Sequence, residues 1–203
     1  MKTMLLLGFG FLNVTVPTVP ANLQVPAGNE LFLAASASGT QNYVCLPGKN
    51  KNDVAWRFLG PQATLFTGGG ADQQVTTHFL SVNPVEVTVA RPTWQHSLDT
   101  SRVWGKVRSS STDPNYVAPG SIPWLLLEAG GTQAGPDGGG IMTQTTFIQR
   151  VNTSGGVAPS TGCSADEHIG AVALVPYTTD YFFYRQVAGL IPVHNRTSFR
   201  PVQ

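Results

Sequence analysis

Charged side chains are scarce in this chain. Lys and Arg number 12 and Asp and Glu 11, together 11% of 203 residues, against roughly a quarter in an average soluble domain. That shortage excludes a surface built of Lys- and Glu-rich helices. The formal net charge is only +1 and the arginines are scattered. Nucleic acid is excluded on the same ground, because its binding rests on clustered Lys and Arg that neutralise several phosphates. Long apolar runs are also missing. No segment approaches the roughly 20 apolar residues needed to cross a bilayer, so the chain has no transmembrane segment of that kind. Catalytic signatures are lacking too. There is no G-x-S-x-G elbow and no H-x-H or H-E-x-x-H spacing, so neither a serine hydrolase nor a common zinc enzyme is legible.

Cysteine is nearly absent, and the 2 present bear on compartment. Lys2, the apolar run from Met4 to Leu12 and the small residues of Val19-Pro20-Ala21 together read as a secretory signal over residues 1–21. A mature chain then starts near Asn22 and forms one domain over residues 22–203, secreted, periplasmic or cell-surface. In an oxidising compartment Cys45 and Cys163 are most simply a bridge. Two free thiols, or half a metal site, are the alternatives. Within the leader, Gly8-Phe9-Gly10 imitates the start of a dinucleotide-binding turn. That turn must open a helix, and here Pro17 and Pro20 follow instead.

Turn formers are plentiful, with 22 Gly and 15 Pro. They cut the chain into short β-rich runs at 31–37, 41–46, 54–59, 63–67, 75–80, 85–89, 102–108, 122–127, 143–151, 171–175 and 180–185. Val85-Glu86-Val87-Thr88-Val89 alternates strictly, as a half-buried strand does. Ile122 to Leu127 is apolar throughout and reads as a central strand covered on both faces. Ser164 to Glu167 fits a capping box, and Gly170 limits any helix there to two turns. About ten strands with at most one or two short helices predict an all-β antiparallel sandwich or barrel. A sandwich is preferred, because a long-range disulfide often ties two sheets together.

Gly39 to Cys45, Ala63 to Phe66, Thr77-His78-Phe79, Pro92 to Gln95, Ile122 to Leu127, Ile148 to Gly156, Gly162-Cys163 and Asp180 to Tyr184 occur in an order that resembles the secreted domain-of-unknown-function family 3455 of bacteria and fungi. The resemblance spans about residues 22–185. It implies an all-β exported domain with its two cysteines paired, and it supplies no catalytic residues. Fungal members of that family often carry the label malate dehydrogenase. No nicotinamide site is legible here, so that chemistry is not expected.

Four histidines are present. If residues 75–80 and 92–97 pair in one sheet, His78 and His96 converge near Asp99 or Glu128 as a nitrogen–oxygen cluster for a divalent metal. The alternative is a structural His78, hydrogen-bonded under a loop. Trp56, Trp94, Trp104, Trp124 and Tyr181 to Tyr184 either fill the core or line a binding face. Arg150, in an otherwise apolar strand, either pairs with Asp180 or grips an anionic ligand. The ligand-binding candidates are therefore His78, Trp94, His96 and Arg150. The polar loops at 109–119 and 130–140 are expected to wall the site. The functions that fit are an exported module binding a small molecule or glycan, a metal-assisted enzyme using His78, or a structural envelope component.

Overall fold

The computed structural model describes residues 15–48, 53–68, 73–164 and 166–187. The apolar leader run Met4 to Leu12, its glycine motif and His194 lie outside them. Eight strands, β1 (Asn29–Pro47), β2 (Val54–Phe66), β3 (Gln74–Val82), β4 (Ala90–His96), β5 (Arg102–Ser111), β6 (Trp124–Gln133), β7 (Thr145–Gly155) and β8 (Val172–Gln186), run up and down in chain order. Each pairs antiparallel with its neighbours, and β1 pairs with β8 to close a barrel. The all-β antiparallel fold holds, and of its two possible architectures the barrel is the one formed.

The disulfide joins Cys45 of β1 to Cys163 in the β7–β8 connection, with Cα atoms 5.5 Å apart across 118 residues. It ties a strand to a loop beside it, not one sheet to another. Restricting so long a loop in the unfolded chain stabilises the fold by about 5 kcal/mol at most.

Several runs read as separate strands are halves of one. Ser38-Gly39-Thr40 lies inside β1, Gly60-Pro61 inside β2, and the runs at 171–175, from residue 172 on, and 180–185 both belong to β8. Gly39 marks a close approach of β1 to β2, since a Cβ there would run into the backbone of Gln62 and Ala63. The alternating run 85–89 is not a strand. Asn83 folds it into a turn: its Oδ1 accepts the Val85 N–H at 3.2 Å, and its amide donates to Glu86 at 2.7 Å and to the Gly130 carbonyl at 3.0 Å. Val85 and Val87 stand in solvent. The strand at that place is β4, directly after the turn. The capping box near Ser164 leads only to a 3-10 turn, Asp166–His168.

Alternation along the strands creates two apolar layers. Ala35, Ala37, Leu65, Trp94, Val103, Leu127, Ile148, Tyr181 and Phe183 point inward and pack together. On the outer face of β6, β7 and β8, Trp124, Leu126, Val151, Phe182 and Tyr184 gather under Val16, Val19, Leu23 and Val25 of the N-terminal segment. That segment is pinned by the Gln149 amide, which donates to the Leu23 carbonyl at 2.7 Å. Strand β6 is thus covered on both faces, as its unbroken apolar sequence predicts.

The two ends of the barrel differ. At one end Asp99, in the β4–β5 turn, accepts N–H groups from Ser101 and Ile141 and the Ser101 hydroxyl. Met142, fully buried, plugs the barrel there. The opposite end carries the β1–β2, β3–β4, β5–β6 and β7–β8 connections and is open. On that side β2 and β3 stop pairing beyond Ala63 and His78, so the barrel wall splits at its mouth.

Candidate functional site in the barrel mouth

Eight strands enclose an interior that side chains can fill or that can hold one small ligand. Here both conditions occur in one barrel. Below a layer of rings made by His78, Trp94 and Tyr181, the interior is packed. Above it lies a cavity of about 280 Å³, walled by Phe58, Pro61, Pro92, Val107, Ile122, Pro123, Leu125 and Leu127 among others.

Sequence alternation explains the ring layer. His78 of β3 and Trp94 of β4 are register partners and both point inward, where the rings stack. Tyr181 of β8 meets both edge-on, with centroids 5.3 Å from each. Space for these rings comes from small neighbours. Ala35, Ala37 and Gly39 form the inner wall of β1, paired with Tyr181, Thr179 and Tyr177 of β8. Gly105 lies beside the Trp94 indole, where a Cβ would come within 2.8 Å of the ring.

Polar groups in this apolar mouth are few. Arg150 is half-buried, and its Nη2 donates to the Pro123 carbonyl at 2.8 Å. Its Nε, the hydroxyls of Tyr177 and Tyr181 and the amide nitrogen of Gln41 complete no well-formed hydrogen bond among the described residues, although Tyr177 interacts with Tyr181 and Gln41, and Tyr181 with Arg150. Tyr43 donates to the Gly156 carbonyl at 2.6 Å. No carboxylate pairs with Arg150 among the described residues. Burial pushes the hydroxyls of Tyr177 and Tyr181 well above the usual phenol range, and the Arg150 charge pulls both partly back. Burial likewise drives the His78 imidazole down to about 3, where it stays neutral at ordinary pH.

The expected partnership of Arg150 with Asp180 does not form. Arg150 is opposite Tyr181 in the register, and Asp180 is opposite Val151. Neighbours along a strand point to opposite faces, so Asp180 faces out, bound to Ser36 at 2.7 Å and Asn152 at 2.8 Å. His78 and His96 also part. Strands β3 and β4 do pair, but His96 stands opposite Thr76, toward the closed end, with its Nδ1 3.1 Å from Asp99. Among the described residues no three His, Cys, Asp or Glu side chains gather where a metal ion could be held.

The loops at 109–119 and 130–140 do not face each other. They belong to the connections before and after β6, and in an up-and-down barrel those lie at opposite ends. Trp94, Trp104 and Trp124 are buried, and Trp56 is half-buried with its indole N–H on the Thr161 carbonyl. Gln41 and Tyr43, which line the cavity, were not legible as site residues. The available signal was a polar residue on the inward phase of a strand.

Residues 26–185 match the family described as protein of unknown function, DUF3455. The chain belongs to that family. No curated protein and no solved structure matches the chain. Within the matched residues lie most of the mouth's polar and aromatic lining, Gln41, Tyr43, His78, Trp94, Arg150 and Tyr181. Among the described residues no helix is long and apolar enough to cross a membrane.

Proposed function

We propose that this protein is an exported binding module that takes a small molecule into the mouth of its barrel. One observation carries the reading: the interior is filled below the His78–Trp94–Tyr181 layer and hollow above it, with apolar walls and a few convergent polar groups. Ligand sites have this composition, with apolar surface for affinity and sparse polar groups for orientation. The leader-like N-terminus and the paired cysteines support export, since such bridges persist in oxidising compartments.

A cavity of this volume suits a compact molecule better than an extended glycan, which would ask for a solvent-facing aromatic platform. A larger, open groove of about 720 Å³ runs along the split between β2 and β3. Its lining mixes polar residues such as Ser38, Thr40 and Asn42 with Leu59, Phe79 and Leu80, and it meets the cavity at Pro61 and His78. The cavity is the better candidate because its walls are mainly apolar.

The test uses a neutral fluorescent probe, N-phenyl-1-naphthylamine, titrated into the folded protein. Its emission rises on binding, and Val107→Trp at the rim suppresses the rise by filling the mouth. Equal emission in both proteins, or none in the wild type, removes this reading.

A further inference from the structure

We propose that the mouth selects small molecules that carry one carboxylate on a compact apolar body, and that Arg150 is the residue that grips it. The inference rests on the small-molecule reading above and adds the ligand's charge and chemical class.

The donor and acceptor inventory is lopsided. Arg150, Tyr181 and Gln41 line the cavity, with Tyr177 beside Tyr181 and Gln41, and these groups interact with one another without any of them completing a well-formed hydrogen bond through Arg150 Nε, the two hydroxyls or the Gln41 amide nitrogen. Tyr177, Tyr181 and Gln41 are each at least 97% buried. Nothing in the described cavity wall offers a carboxylate in return. A half-buried guanidinium without a counter-ion is costly, because it has given up part of its hydration for neutral contacts with the Pro123 carbonyl and the Tyr181 hydroxyl. Such a group persists where something else supplies negative charge. The Arg150 charge is felt by Tyr43, His78, Tyr177 and Tyr181, which places it at the electrostatic centre of the mouth.

A carboxylate matches this arrangement on three counts. The planar guanidinium fork fits two carboxylate oxygens. One cation balances one negative charge, whereas a phosphate monoester would bring a second charge into an apolar enclosure. The Tyr181 hydroxyl and Gln41 amide can donate to the remaining lone pairs. The apolar walls and the face of the ring layer then take the body of the molecule.

The experiment compares 2-naphthoate with its neutral isostere 2-naphthamide, by calorimetry and by quenching of tryptophan emission at pH 7 and low salt. Naphthoate is expected to bind at least roughly tenfold more tightly than the amide, since a charge-assisted bidentate pair exceeds a neutral contact by that much. In Arg150→Met, which keeps an unbranched apolar stem and removes the charge, the preference for naphthoate over the amide is lost. Equal wild-type affinities, or a preference for naphthamide, overturn the carboxylate assignment and leave the binding cavity standing. Binding of neither probe overturns both. If Arg150→Met does not fold, the wild-type pair of titrations decides alone.

Discussion

The Nδ1 of His78 lies 2.9 Å from the carbonyl oxygen of Thr93. A carbonyl only accepts, so Nδ1 holds the proton and Nε2 carries a lone pair. The ring is a neutral imidazole set in one tautomer by a backbone group of the next strand.

That buried neutral ring makes stability depend on pH in a definite sense. Burial lowers the folded pKa from 6.5 to about 3. Between those values the unfolded chain binds a proton at His78 that the folded chain refuses, so stability is present above pH 6.5 and is lost as pH falls toward 3. Urea denaturation at stepped pH should show this decline in the wild type and a shallower one in His78→Gln. Parallel profiles for the two proteins would show that His78 does not contribute.

Gly105 sets the position of the Trp94 indole. A methyl group there would press on Trp94 at 2.8 Å and on Leu127 at 3.0 Å, and both are almost fully buried. Gly105→Ala should therefore destabilise the protein by about 1–3 kcal/mol, the usual cost of overpacking. It should also shift the near-ultraviolet dichroism of the tryptophans. An unchanged denaturation midpoint would mean that the ring layer has slack.

Much of the fold could be read in the sequence, and the misreadings have local physical causes. The apolar run of β6 announced a strand covered on both sides, and Leu126 and Leu127 are indeed buried in different layers. Gly39 and Gly60-Pro61 resembled turns because glycine marks both reversals and close strand contacts. Val85 to Val89 alternated like a strand, and side-chain bonds from Asn83 turned it into a loop. For the site, His78, Trp94 and Arg150 stood out by residue type, and the strand register places all three on the cavity wall. The partner of Arg150 did not, because a one-residue step in register decides whether Asp180 meets it or turns away.

Asp99 organises the closed end. Burial alone would raise its pKa, but N–H donors from Ile141 and Ser101 and the Ser101 hydroxyl outweigh burial, and the carboxyl is held below its ordinary 3.8. Its stabilising effect is accordingly full above pH 3.8 and fades as pH falls through the lower folded value. Asp99→Asn sets an amide donor against one of the N–H groups the carboxylate received, at a cost of about 1–3 kcal/mol. Thermal unfolding at pH 7 measures that loss, and a variant as stable as the wild type would show that the β4–β5 turn does not hold the plug.

The split between β2 and β3 leaves two strand margins whose peptide groups have no neighbour across the gap among the described residues. Margins of this sort recruit extended segments of other molecules and seed aggregates. Pro61 offers no N–H to such a recruit, and Gly60, at φ 149°, breaks the flat line it would follow. Leu80 packs against that same glycine position. The barrel can keep an open mouth without becoming a template for its own polymerisation.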